Sequence, residues 1–176
     1  MSTSDDAKLT SYFSLPTPVG EFVVVLDSED TVRAAGFNSL IKLIRLVDQN
    51  TKPSNLEERV LHPYKILLKE YFAGEPVDLQ KITHQQPGTD FQQRAWQAMS
   101  NIPYGTTSTY KSIATEAGSA RASRAAGSAC AHNRIIVIVP CHRVLKSDGT
   151  AGNYYYGHKI KNFLLKLEQD GLELHG

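Results

Sequence analysis

Cysteine is scarce in this 176-residue chain, with Cys130 and Cys141 the two present. Two thiols make neither a disulfide framework nor a four-cysteine zinc site. Long apolar runs are missing too. Nothing approaches the roughly 18 residues that a membrane span requires, so no membrane partner is expected. The opening Met1-Ser2-Thr3-Ser4-Asp5-Asp6 is polar and acidic, the opposite of a secretion signal. The expected setting is therefore intracellular and reducing: cytoplasmic, or nuclear in a eukaryotic source. A composition of 41% hydrophobic and 21% charged residues is that of an ordinary globule. Its length suits one domain, or two small ones, with a real core.

Neither sign of charge is in excess, 19 Lys+Arg facing 18 Asp+Glu, but the distribution is uneven. Residues 1–88 hold 9 basic against 12 acidic side chains, and residues 89–176 hold 10 against 6. Between 110 and 146, Lys111, Arg121, Arg124, Arg134, Arg143 and Lys146 face the single Glu116. A modest basic patch of this kind suits phosphate contacts, and equally an uneven surface.

The first half reads as scaffold. Tyr12–Leu15, Glu21–Leu26 and Thr31–Phe37 alternate with turn signals and predict a small antiparallel sheet. Leu40, Leu43, Ile44 and Val47 recur at helical spacing, and Thr51–Ser54 ends that helix. A second helix is expected from an Asn55 N-cap, with Glu57 and Glu58 in its first turn, through Val60 to Tyr71. Val77–Ile82 reads as a further strand and Thr83–Gly88 as a polar linker. His62 and His84 lack Cys or acidic partners at metal-ligand spacing, so no metal is expected.

From Thr89, a plausible N-cap, the character changes. Phe91, Ala95, Trp96, Ala98 and Met99 line an amphipathic helix. A short helix over 108–117, the turn residue Gly118 and a helix over 120–131 then have the outline of a helix-turn-helix, although most such hairpins are packing units. The second helix is built almost wholly from Ala, Ser and Gly apart from Arg121 and Arg124. Methyl-sized side chains cannot reach base edges in a major groove. They allow close approach, either to a neighbouring helix or to a minor groove.

The chain then runs through Ile135-Ile136-Val137-Ile138-Val139 into Pro140-Cys141-His142-Arg143-Val144. Five β-branched residues predict a buried strand. A lone buried cysteine is ordinarily a small hydrophobe, but a thiol flanked by an imidazole and a guanidinium is good nucleophile chemistry. Successive residues of an extended chain face opposite ways, so His142 should reach Cys141 through a turn after Pro140 or through a water.

Pro-Cys-His-Arg-Val behind an Ala/Gly/Ser-rich basic helix resembles the O6-alkylguanine-DNA alkyltransferases, over roughly residues 88–170. The resemblance implies an α+β fold. A small N-terminal antiparallel sheet with helices, RNase H-like, would occupy 1–84. A mostly α-helical domain with the helix-turn-helix and the active-site cysteine would occupy 85–176. It implies a single-turnover transfer of an alkyl group from O6-alkylguanine, and less so O4-alkylthymine, in double-stranded DNA to Cys141, without cofactor, by a monomer that binds DNA alone or cooperatively. Some family members carry a structural zinc in the first half, but the cysteines it needs are absent here.

The same resemblance assigns roles. Cys141 accepts the alkyl group, His142 removes the thiol proton through a water, Glu168 orients the imidazole, and Tyr110 donates to the leaving guanine. Asn133 is the hinge between helix and cysteine segment, followed by Arg134 where the family often has proline. Asn153 and Tyr154 belong to the pocket loop, and backbone groups near Cys141, Val144 and Tyr155 read the guanine edge. Arg124 fills the gap left by a flipped nucleotide. Lys111, Ala122, Ser123, Ala125, Gly127, Arg143 and Ser147 complete the DNA-binding set. Tyr156 replaces the first glycine of the family's Gly-Gly pair. Its ring would narrow the pocket entrance against large alkyl groups, or else stack as an extra wall. Two other functions remain open: an alkyltransferase-like protein that binds the lesion without repair, in which tryptophan typically replaces the cysteine, and an unrelated Cys-His hydrolase.

Overall fold

The computed structural model describes residues 8–175, so the acidic Met1–Asp6 segment lies outside the described residues. Three antiparallel strands, β1 (Leu9–Thr17), β2 (Gly20–Asp27) and β3 (Val32–Gly36), form the sheet expected from the turn pattern. A two-residue β4 (Glu57–Glu58) adds in parallel to β1, giving the order β3-β2-β1-β4. β2 is central and buried on both faces. Phe22, Val24 and Leu26 face the main core, while Val23 and Val25 pack with Leu43 and Ile44 of helix α1 (Leu40–Val47). That is why β2 reads as a continuous apolar run while β1 alternates.

The second helix, α2, spans Pro63–Phe72 and does not begin at Asn55. Asn55 ends a single 3-10 turn, and Glu57 and Glu58 are committed to β4. The cap is His62, whose Nδ1 accepts from the Tyr64 amide at 3.1 Å, followed by proline at the first helical position. The strand expected at Val77–Ile82 is a 3-10 turn over Leu79–Lys81, because the Asp78 carboxylate accepts from the Gln80 amide and curls the chain. The segment expected to be a linker is a seam. The Val32 amide donates to Thr83 O and the Gln85 amide to Val32 O, extending β3. Gln86 is buried and bonded to Asn133.

Four helices follow: α3 (Asp90–Ser100), α4 (Tyr110–Glu116), α5 (Ser123–Ala131) and α6 (His158–His175), with a two-residue parallel pairing of β5 (Ser108–Thr109) and β6 (Val144–Leu145). Thr89 caps α3 in a reciprocal box with Gln92. α4 and α5 are joined through Gly118, which takes φ +105°. Trp96 of α3 ties to α5 by donating to Ala129 O at 2.8 Å. One apolar core runs from Phe13, Phe22 and Leu68 through Trp96 to Ile113, Ala126 and Cys141. No described helix is long and apolar enough to cross a membrane.

The expected strand at Ile135–Val139 is the largest departure. All five side chains are buried, but the backbone loops. Ile135 bridges to Ala35 of β3, while the Val139 amide donates to Ile135 O and Val137 takes φ +74°. The cause is Asn133. Its Oδ1 accepts from the Ile135 amide at 3.0 Å and its Nδ2 donates to Val139 O at 2.9 Å. An extended strand would hold those positions about 13 Å apart, beyond the span of one carboxamide. β-branching favours extension locally, but the clamp and complete burial prevail.

A β-branched residue at positive φ is disfavoured, and glycine is the residue that tolerates this region. Val137→Gly is therefore expected to be more stable than Val137→Ala by about 1 kcal/mol, the reverse of the usual order in regular structure. Denaturant unfolding of the two variants checks this, and an alanine variant equal to or above glycine would contradict the left-handed turn.

Candidate active site

The site is built around a buried carboxylate. Glu168, on the inner face of α6, is 1% exposed. Its Oε2 lies 2.6 Å from His142 Nε2 and accepts from the Tyr71 hydroxyl at 2.6 Å. Arg143 donates Nε to Oε1 at 2.7 Å and Nη2 to Oε2 at 3.1 Å, and its Nη1 binds Ile102 O. Burial opposes the charge on Glu168, but His142 and the Arg143 guanidinium outweigh it and hold the carboxyl far below the usual range. An ionised acceptor at Nε2 fixes that nitrogen as the protonated one. Burial meanwhile lowers the basicity of His142 despite the carboxylate, so the ring is neutral near pH 7. The free lone pair is then on Nδ1, which is buried without a hydrogen-bond partner among the described residues.

Cys141 and His142 occupy one 3-10 turn, Cys141–Arg143, directly after Pro140. The turn expected after Pro140 is present, but it does not bring His142 onto Cys141: His142 points back to Glu168 and Cys141 forward to a cavity. No hydrogen bond joins the two side chains among the described residues. Burial raises the Cys141 pKa; the Asn133 amide, which donates to Sγ at 3.4 Å, and the Lys161 ammonium act against it. The resting group is thus a thiol held beside donors that favour its anion.

The cavity measures 550 Å³ and Cys141 is on its wall. Helices α4 and α5 contribute Tyr110, Lys111, Ser123, Arg124 and Gly127, and the loop after β6 contributes Ser147, Asn153, Tyr154 and Tyr155. Gly152, at φ +71°, lets that loop pass under Tyr110, where a Cβ would come 2.8 Å from the phenol oxygen. Burial pushes the Tyr110 pKa up to about 12, so the group remains a proton donor near neutrality. Tyr154 is half-buried and Tyr155 is 65% exposed at the rim.

The small residues of α5 divide by face. Ala126 and Ala129 are fully buried, which satisfies the packing explanation for them. Arg124, Ala125, Ser128 and Ala131 are exposed, Ala122 and Ser123 half-buried, and a Cβ on Gly127 would meet nothing within 4 Å. Nothing inside the protein requires that outer face to be small.

Two expectations change. Arg143, read as a DNA contact, is 7% exposed with its guanidinium turned inward on Glu168 and Ile102 O, so phosphates cannot reach it. Tyr156, read as narrowing the pocket, is not part of the cavity wall. It turns to the end of β3, just beyond which Asn38 Nδ2 donates to its hydroxyl at 3.1 Å, and the positive φ at the loop end falls on Gly157. Val144 is buried, with its carbonyl accepting from Lys161 Nζ at 2.8 Å. The Arg134 backbone is held by Gln86 and Ala35, so the turn without proline is firm.

Three site residues escape the sequence reading. Lys161 is fully buried between Val144 O and the Tyr154 ring, 6.0 Å from its centroid. Tyr71 reaches Glu168 from α2. Cys130 is a second thiol in the cavity wall, with its pKa raised chiefly by burial. Among the described residues no group of three or more His, Cys, Asp or Glu could hold a metal ion.

Removing one partner of a buried ion pair leaves the other charge uncompensated. Glu168→Ala is expected to destabilise the fold by about 3–5 kcal/mol. Stability should also fall with acidification in two stages. The depressed His142 contributes stability that is full above its unfolded pKa near 6.5 and lost below it, and the depressed Glu168 contributes stability lost well below pH 4. Denaturant titrations across pH check both; a pH-independent midpoint from 7 to 4 would contradict the burial described.

Residues 90–170 match the model of the 6-O-methylguanine DNA methyltransferase DNA-binding domain. A methylated-DNA–protein-cysteine methyltransferase of Methanosarcina barkeri is 50% identical over 107 residues, 60% of this chain and 66% of that protein. One from Mycobacterium tuberculosis is 35% identical over 162 residues, 90% of this chain and 92% of that protein. The crystal structure of Mycobacterium tuberculosis OGT in complex with DNA superposes with a TM-score of 0.74 at 31% identity, covering 92% of this chain and 94% of that one. The likeness thus extends from the cysteine pentapeptide through the sheet half as well, and the chain belongs to the methylated-DNA–protein-cysteine methyltransferase family.

Proposed function

We propose that this protein repairs alkylated DNA by direct reversal, moving the alkyl group of O6-alkylguanine, and less readily O4-alkylthymine, in double-stranded DNA to Cys141, once per molecule and without a cofactor. The observation that carries this reading is Cys141 on the wall of a base-sized cavity. The buried His142–Glu168 pair lies behind it and the outward small-residue face of α5 in front. In this reading the α4–Gly118–α5 pair is a helix-turn-helix that enters the minor groove. The half spanning 1–84 is an RNase H-like scaffold for the DNA-binding half spanning 85–176.

A base inside a duplex cannot bring its O6 substituent to a recessed thiol, so the nucleotide must swing out at a cost of a few kcal/mol. Arg124, exposed at the cavity mouth, fills the gap in the stack. Lys111 and Ser147 meet phosphates, and Ala122, Ser123, Ala125 and Gly127 let the helix come close. The flipped base rests against Tyr154, with backbone groups of Cys141, Val144 and Tyr155 and the Asn153 loop at its edges.

His142 Nδ1 takes the Cys141 proton through a bridging water, and the resulting imidazolium is stabilised by Glu168. Sulfur then attacks the alkyl carbon in line. The S–C bond forms as the C–O6 bond breaks, and the electron pair leaves with guanine, whose developing charge the Tyr110 hydroxyl stabilises by hydrogen-bond donation. The proton taken up by His142 returns through water, so that guanine leaves neutral. A thioether is a poor leaving group, so the product is final. Binding as a monomer, singly or cooperatively along DNA, is part of the same proposal.

The experiment is intact-mass measurement after mixing with excess methylated duplex. One added methyl is expected on Cys141, and none in Cys141→Ala, whose DNA affinity should be nearly unchanged. Arg124→Ala should slow transfer from duplex far more than from free O6-methylguanine, which needs no flipping. No added mass on wild type would indicate a lesion binder. Continuous product release would indicate a hydrolase.

A further inference from the structure

Edge strand β3 touches both walls of the Cys141 cavity. Ala35 accepts from the Ile136 amide and donates to Arg134 O, which holds the segment leading into Cys141. One residue on, Gly36 receives the Tyr156 hydroxyl. A Cβ on Gly36 would collide with that oxygen, so the seat exists because the residue is glycine. Asn38 Nδ2 donates to the same hydroxyl at 3.1 Å, and the Phe37 and Tyr156 rings meet edge to face with centroids 5.6 Å apart. On its other side Tyr156 contacts both cavity aromatics, Tyr155 at 4.8 Å and Tyr154 at 6.3 Å between centroids. Elsewhere the loop is fixed at Gly152, which packs against Tyr110, and at Tyr154, beside Lys161, while Lys146–Thr150, Asn153, Tyr155 and Gly157 are exposed.

We propose that Tyr156 is a positioning residue that latches the pocket loop onto Gly36, at the end of β3, and Asn38 just after it, setting the stacking face of Tyr154 opposite Cys141. This rests on reading the cavity as the alkylguanine site. The sheet half is then a reference frame for substrate binding. The same strand registers the nucleophile segment through Ala35 and the aromatic wall through Gly36. Tyr156 touches neither the nucleophile nor its base, so the latch acts on how well the base is held and not on the displacement step.

The test uses the full chain, free O6-methylguanine as substrate and undamaged duplex as the DNA-binding control. Tyr156→Gly is expected to raise the half-saturating concentration of the free base by about tenfold, the range of one lost hydrogen bond with its ring contacts. The limiting transfer rate and the duplex affinity should stay within about twofold. Gly36→Ala should act in the same direction, and adding Tyr156→Phe to it, which removes the colliding oxygen, should recover part of the loss. An unchanged half-saturation in folded Tyr156→Gly overturns the latch. So does a loss carried mainly by the limiting rate, or one that merely follows melting temperature across the variants. If wild type itself transfers nothing from the free base to Cys141, the reading of the cavity fails, and the latch with it.

Discussion

Glu168 carries a negative charge where water cannot reach it, and the active half of the molecule is arranged to make that tolerable. An isolated buried carboxylate would take up a proton, as the cost of ionisation in a poor dielectric far exceeds that of neutralisation. Here Arg143 supplies two donors and His142 and Tyr71 one each. Four segments are tied to one carboxylate: α2 through Tyr71, the 3-10 turn through His142 and Arg143, α6 through Glu168 itself, and the loop after α3 through the Gly105 amide, which donates to Oε1 at 3.4 Å. The arginine that looks like a phosphate contact in the sequence joins His142 in keeping Glu168 ionised. The ionised Glu168 in turn decides which histidine nitrogen carries the proton.

A second constraint operates on the other side of the cysteine. Asn133 closes the Ile135–Val139 segment into a loop and also donates to Cys141 Sγ. Its carboxamide is held in turn by Gln86, from the seam that joins the two halves. The thiol therefore stands between a neutral base, an amide donor and the Lys161 ammonium, none of which forces it to ionise at rest.

The legible parts of the sequence were those with local causes. α1 and α3 follow from apolar spacing, and Thr89 from a cap whose partner Gln92 lies within one turn. A turn after Pro140 was legible as one way for His142 to reach Cys141, but the turn that forms sends His142 to Glu168 instead. What stayed hidden depends on distant partners. Asn55, Glu57 and Glu58 look like a helix start, but β1 claims the two glutamates, and the actual cap is a histidine. Five β-branched residues look like a strand until a side chain before them binds both ends. Lys161 lies on a helix whose other lysines are exposed, and its partner is a backbone carbonyl that no motif records. Tyr156 was legible as a departure from the family pattern, but its direction was not, since its seat is a glycine 120 residues earlier in the sheet.

The central claim is that the buried carboxylate sets the histidine tautomer, leaving Nδ1 as the base for Cys141. Nitrogen-15 NMR of the His142 ring in the intact protein tests it most directly. A ring that is neutral and protonated at Nε2 at pH 7, and still mainly neutral at pH 6.5, is the expected result. A ring protonated at Nδ1, or an imidazolium at pH 7, would contradict the account.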